Sequence, residues 1–240
     1  MTEPAKFKFF VYIVESPSAP DLYHNRSEGE RVASTLRLDD VPCVTRTAIN
    51  QEAFVAALRA GLPEAMKQFP GHYPIIHLSA HGSSAGLQLS SGQVITWIQL
   101  REMLTPVNQA LNGALLLCMS ACKGYSAVQM AMQEGNAPHP YLVMVGNFGT
   151  PTWSDTAVAY LSFYHLLAKG RQIPEAVAAM SAASGDAKWV VETADASKHG
   201  YIEFLKAKTT PAEVQQQLEA AAQKDPIPPT AKALESGAAG

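Results

Sequence analysis

Short, almost uninterrupted apolar runs recur along this chain, each separated from the next by a segment of helix length. Residues 7–14 read FKFFVYIV, 75–79 IIHLS, 114–120 ALLLCMS and 141–145 YLVMV. Apolar runs of this length without alternation suit strands covered on both faces, as in a parallel sheet. Residues 27–37 place Val32, Ala33 and Leu36 on one side of a helix, and 41–47 read as a second strand. Asn50 is a good N-cap for a helix carrying Phe54, Ala57, Leu58 and Leu62 at helical spacing. Residues 86–96 predict a hairpin turning at Ser91-Gly92, followed by a helix over 97–110. Further helices are expected over 124–134, 154–168 and 174–184, the last opened by Pro174. Residues 189–193 and 201–205 read as two late strands. The alternation predicts an α/β fold: a three-layer sandwich with a mainly parallel central sheet and helices on both faces. Ligand chemistry in such sheets sits at the carboxyl ends of the strands.

The 240 residues are 47% hydrophobic and 16% charged, ample for one sizeable core. Residues 1–206 read as one domain. Residues 207–240 read as a C-terminal helix, about 211–223, and a disordered tail, because the composition there turns Ala/Gln/Glu/Lys-rich and then Pro-rich. The net charge is −3 with no basic stretch, so no direct nucleic-acid partner is expected. No apolar run approaches the ~20 residues of a spanning helix. Residues 1–6 lack the apolar run and small-residue cleavage site of a secretory leader. The expectation is a cytoplasmic protein with no membrane association. Cys43, Cys118 and Cys122 are the only cysteines, too few and odd in number for a disulfide framework. Cys118 and Cys122 are four apart, but no Cys/His cluster completes a zinc site. Neither metal nor cofactor is expected.

His81 and Cys122 each stand just past the end of a buried strand. A thiol attacks a carbonyl as thiolate, so it needs a base or a positive environment nearby. An imidazole supplies that near neutral pH and later protonates the leaving amine. The small-residue turn Ser120-Ala121-Cys122-Lys123-Gly124 leaves the Cys122 N–H at the start of the next helix, and Gly82 lets a substrate carbonyl approach a bare N–H. These residues predict a Cys122–His81 pair, with the Gly82 and Cys122 N–H groups as the oxyanion hole.

The string Ser120-Ala121-Cys122-Lys123-Gly124, with His81-Gly82 upstream, resembles the signature of caspase-like (clan CD) cysteine peptidases. The resemblance is closest to their CHAT branch. Three segments carry it: Ile75 through Gly82 with Gly86-Leu87-Gln88-Leu89, Leu115 through Cys122, and Val145-Gly146-Asn147-Phe148 through Trp153-Ser154-Asp155. The third continues into Phe163-Tyr164, residues 166–170 and Glu175-Ala176-Val177, so that the whole covers roughly residues 75–183. The resemblance implies a caspase–haemoglobinase fold and endopeptidase activity. It also implies a protein substrate, an activating or regulatory protein partner, and work in bacterial signalling or antiviral defence. Metacaspase-like members have an acid where Ser120 stands, which helps select basic residues. Ser120 is therefore a substrate-binding candidate without that argument for a basic preference. Asp155 either takes part in the substrate pocket or caps the following helix, and Trp153 either lines the pocket or packs in the core.

Other readings compete. Cys43 and Cys118 read as small buried hydrophobes. His77 reads as part of the sheet packing, and His72, His139, His165 and His199 lack comparable context. Ser79, Ser83 and Ser84 sit in no Gly-x-Ser-x-Gly elbow. Lys123 either lowers the thiol pKa or points to solvent. The alternative function is a catalytically silent caspase-like scaffold that binds partner proteins. An amidotransferase-type thiol hydrolase places Cys before His in the chain, the reverse of the order here.

Overall fold

The computed structural model of the chain describes residues 7–207 and 215–216. Its strands are β1 (Phe9–Ser16), β2 (Cys43–Thr47), β3 (Tyr73–Gly82), β4 (Gly86–Gln88), β5 (Val94–Thr96), β6 (Leu116–Ser120), β7 (Val143–Asn147) and β8 (Trp189–Thr193). They form one sheet with the order β2-β1-β3-β6-β7-β8, while β4 pairs with β3 and β5. All pairs from β2 through β7 along that path are parallel. The β7–β8, β3–β4 and β4–β5 pairs are antiparallel.

The helices are α1 (Ala19–Tyr23), α2 (Glu28–Leu36), α3 (Gln51–Ala56), α4 (Leu62–Gln68), α5 (Trp97–Ala110), α6 (Trp153–Ala168), α7 (Ile173–Ser184) and α8 (Ala194–Ala207). Local chemistry sets several of their starts. Ser27 Oγ accepts from the Glu30 N–H at 3.0 Å, and Asn50 Oδ1 from the Ala53 N–H at 2.9 Å. Reciprocal capping boxes open α5 (Thr96 with Gln99) and α6 (Thr152 with Asp155).

All eight residues of β1 are buried, and alternate side chains enter two different cores. Phe9, Val11 and Ile13 pack with Val32 and Leu36 of α2 and with Tyr160 and Phe163 of α6. Phe10, Tyr12 and Val14 pack with Phe54, Leu62 and Leu104 on the α3, α4 and α5 side. Burial on both faces is why the strand sequences show no alternation, and each such side chain contributes about 2 kcal/mol. The fold is the predicted α/β sandwich: a mostly parallel sheet between two helical layers.

Three expectations need revision. Residues 201–205 lie within helix α8, not in a strand. Tyr201 and Phe204 stack at 6.1 Å, an i, i+3 pair that a helix brings onto one side. The expected helix over 124–134 is a 3-10 helix, Gly124–Met130, followed by turns. Strand β3 runs on to Gly82, well past residue 79, because β4 pairs with its last two residues. Apart from Gln215 and Gln216, which are helical, the helix and tail expected after residue 207 lie outside the described residues.

Candidate active site

Strands β3 and β6 lie side by side and parallel, with Ile75 opposite Leu116 and Ser79 opposite Ser120. The offset is constant at 120 − 79 = 41 residues, and the interval from His81 to Cys122 is the same. Strand β6 ends at Ser120 and Cys122 stands in the turn that follows, while His81 lies near the end of β3; the two open at the same rim of the sheet. The contact is close enough that a Cβ on Gly82 would overlap the Cys122 carbonyl oxygen and stand 2.8 Å from the Ala121 Cβ.

His81 is exposed and Cys122 half-buried. Both open onto a cleft of about 220 Å³. Ala80, Ser120 and Ala121 contribute to it from the sheet, and Pro151, Trp153 and Thr156 from the loop and helix opposite. The Trp153 ring stands edge-on to His81, with centroids 6.4 Å apart. Loop 148–152 is tied to the Cys122 turn. Buried Asn147 accepts from the Gly149 N–H at 2.7 Å, and the Gly149 carbonyl accepts from the Lys123 N–H at 2.7 Å. Lys123 is exposed and left-handed, with φ of 51°.

Burial pushes the Cys122 thiol up, offset in part by its own backbone N–H. Among the described residues, no hydrogen bond joins the thiol to His81, and the Cys122 N–H donates to no other residue. The thiol is thus neutral at pH 7, with an unspent backbone donor beside it. Burial also raises Cys43 and Cys118, each to about 12. Both stay inert thiols at neutral pH.

The remaining sequence candidates divide. Trp153 lines the cleft. Asp155 caps α6: its carboxylate accepts from the Thr152 hydroxyl at 2.7 Å and the Thr152 N–H at 3.0 Å. These bonds hold its carboxyl below the usual value, and it is not among the residues lining the cleft. Ser120 reaches the cleft, but its hydroxyl proton is committed to the Glu28 carboxylate at 2.7 and 2.8 Å. His77 is fully buried, with Nδ1 2.8 Å from the Tyr164 hydroxyl. Among the described residues no group of three or more His, Cys, Asp or Glu side chains could hold a metal ion. No helix among them is long and apolar enough to cross a membrane.

Sequence reasoning missed Glu28. It is 1% exposed, sits in the first turn of α2, and also accepts from Ser79 Oγ at 2.7 Å. An acid in a first helical turn is ordinary, so the residue itself gave no signal. The signal lay in its partners. Ser79 and Ser120 are polar positions at the ends of buried strands, and a buried hydroxyl needs an acceptor.

No family model matches the chain, and no curated protein does. Among solved structures it is similar to the complex of Porphyromonas gingivalis RgpB pro- and mature domains. The TM-score is 0.50 at 14% identity, over 80% of this chain and 48% of that one. It is also similar to the Arg specific cysteine proteinase gingipain R (RGPB), with a TM-score of 0.47 at 13% identity, over 78% of this chain and 46% of that one. The chain spans about half the length of these solved chains. The likeness to the RgpB complex is one of fold: the chain shares its caspase–haemoglobinase-like α/β architecture.

Proposed function

We propose that the protein is a cysteine endopeptidase of the caspase-like kind, closest to the CHAT branch, working through Cys122 and His81. The observation that supports this reading is the cleft at the ends of β3 and β6, which a thiol and an imidazole both line. His81 takes the proton from the Cys122 thiol, and the thiolate attacks the scissile carbonyl carbon. The Gly82 and Cys122 N–H groups receive the oxyanion. On collapse, His81 gives its proton to the leaving amine and a thioester remains. Water, deprotonated by His81, attacks the thioester, and the carboxylic acid leaves as the thiol reforms.

The substrate is a protein chain. The resting thiol is neutral and unpaired with His81, so turnover waits on an activating partner or on substrate to draw the two together. A role as a regulated cytoplasmic protease in bacterial signalling or defence follows from the CHAT resemblance. The test is proteome-wide mapping of cleavage sites with the wild type against Cys122→Ala and His81→Ala. Both substitutions should abolish cleavage and leave the thermal transition in place. Full-rate cleavage of a confirmed substrate by either variant removes the assignment.

The raised thiol and the missing His81 contact favour a second reading, a silent scaffold that binds partner proteins. Labelling with an electrophilic peptide separates the two, since a scaffold modifies Cys122 no faster than Cys43.

A further inference from the structure

We infer that Asn147 and Asp186 are positioning residues for the nucleophile, a clasp that sets the backbone of the Cys122 turn from outside the cleft. Neither residue lines that cleft. The inference rests on the peptidase reading and adds to it the device that aims Cys122.

Asn147 ends β7 and is fully buried. Both ends of its amide are engaged. Nδ2 donates to Asp186 Oδ2 at 2.9 Å, and Oδ1 accepts from the Gly149 N–H at 2.7 Å. Asp186 stands between α7 and β8, where its other oxygen accepts from the Lys188 N–H at 3.0 Å. The loop after β7 is tied to the same place a second time, since the Phe148 N–H donates to the Lys188 carbonyl at 3.3 Å. A carboxylate only accepts, so Asp186 draws the NH2 side of the Asn147 amide and turns its oxygen to Gly149. Without that acid the two ends of the amide can exchange, and an NH2 group facing the Gly149 N–H holds nothing.

Gly149 passes the constraint on. Its carbonyl accepts from the Lys123 N–H at 2.7 Å. That N–H belongs to the peptide joining Cys122 to Lys123. The oxygen of the same peptide, the Cys122 carbonyl, is packed against Gly82. Both edges of the peptide are therefore occupied, one by the loop after β7 and one by the end of β3, and its plane is set. Lys123 shows why such a hold is needed. It is left-handed, with φ of 51° and ψ of 32°. A side chain disfavours that region, so the conformation persists where its neighbours impose it. Once released, the turn rearranges, and with it the aim of the sulfur at a carbonyl shared with His81. The constraint thus runs from Asp186 through Asn147 and Gly149 to the nucleophile.

Exchanging the partners tests this in the full chain. Asn147→Asp sets two carboxylates face to face and breaks the clasp. Adding Asp186→Asn restores it with the roles reversed: the new amide donates to the new carboxylate, which still accepts from the Gly149 N–H. Asp186→Ala removes only the acceptor, from a part-exposed turn, and reads the same quantity should Asn147→Asp fail to fold. A peptide taken from a mapped cleavage site gives kcat and KM, and thermal unfolding gives the midpoint. Asn147→Asp and Asp186→Ala should each lower kcat by about ten-fold or more, the scale of a small misplacement of the reacting group. KM should stay within about three-fold, because the loss is confined to the chemical step. The double variant should return kcat to within about three-fold of the wild type. A merely structural clasp lowers the midpoint and leaves the kcat of the folded protein alone, and that result overturns the proposal. So does a double variant that recovers its midpoint without its kcat, or a rise in KM with kcat kept. Each of these leaves the peptidase reading standing. A wild type that cleaves no site removes both.

Discussion

Adding one methyl group at Gly82 probes the geometry of the rim directly. The new Cβ would overlap the Cys122 carbonyl oxygen and lie 2.8 Å from the Ala121 Cβ. The oxygen is backbone and the Ala121 Cβ is fixed to it, so no rotamer change relieves either contact. Carbon needs ~3.5 Å or more from such neighbours, so the end of β3 and the Cys122 turn must separate by on the order of 1 Å. Overpacking of this kind costs about 1–3 kcal/mol, and a backbone obstacle belongs at the upper end. In a chain of this size that lowers Tm by about 4–10 °C. Gly149, in the loop tied to the Cys122 turn, is the control. A Cβ there would meet the Lys188 Cδ at 2.7 Å and the Asn147 Oδ1 at 3.1 Å. The first is the far end of a flexible side chain, so Gly149→Ala should cost less than about 1 kcal/mol, offset further by reduced freedom of the unfolded chain. Urea and thermal unfolding give the stabilities, and electrophile labelling of Cys122 reports the rim. A Gly82→Ala protein with wild-type midpoint and labelling refutes the proposed closeness of the two strand ends. Equal costs at Gly82 and Gly149 do the same.

Two further outcomes follow from the site. Because burial raises the Cys122 thiol, its thiolate fraction in the free protein is small at pH 7 and grows only above the ordinary cysteine range near ~8.5. Alkylation by iodoacetamide should therefore still be climbing at pH 9, and a plateau below pH 7 contradicts the assignment. Thr152→Ala removes a helix cap that bonds Asp155 in both directions, with a cost of about 1 kcal/mol in urea denaturation. The Asp155 carboxyl is held low by those bonds. In the wild type its contribution is present above the ordinary aspartate value and is lost as pH falls through the lower folded one. The gap between variant and wild type should accordingly narrow in acid, and a gap that widens there counts against the capping role.

The sheet was legible because its strands are buried on both faces and announce themselves as apolar runs. The same property hid the ends of those strands. Nothing in the residues 75–79 pattern shows that β4 will fold back and carry β3 to Gly82. Residues 201–205 resemble a strand through aromatic and branched side chains, but they belong to a helix. Tertiary packing overrides so short a propensity. His81 and Cys122 could be placed at strand ends from sequence. Their common rim could not, since that depends on the pairing of β3 with β6. Glu28 was invisible for a related reason: its importance comes from hydroxyls 51 and 92 residues away in the chain.

A site hung from the ends of two paired strands treats different stretches of chain very unequally. Between Gly82 and Leu116 the polypeptide makes an excursion through β4, β5 and α5 before rejoining the sheet. Residues added at the turn of that excursion leave the alignment of Ser79 with Ser120 untouched. One residue gained or lost inside β6 shifts the register of the strand and displaces the turn that carries the sulfur. Variation among descendants of this chain should thus collect in the excursion, while the spacing from Leu116 to Cys122 stays frozen.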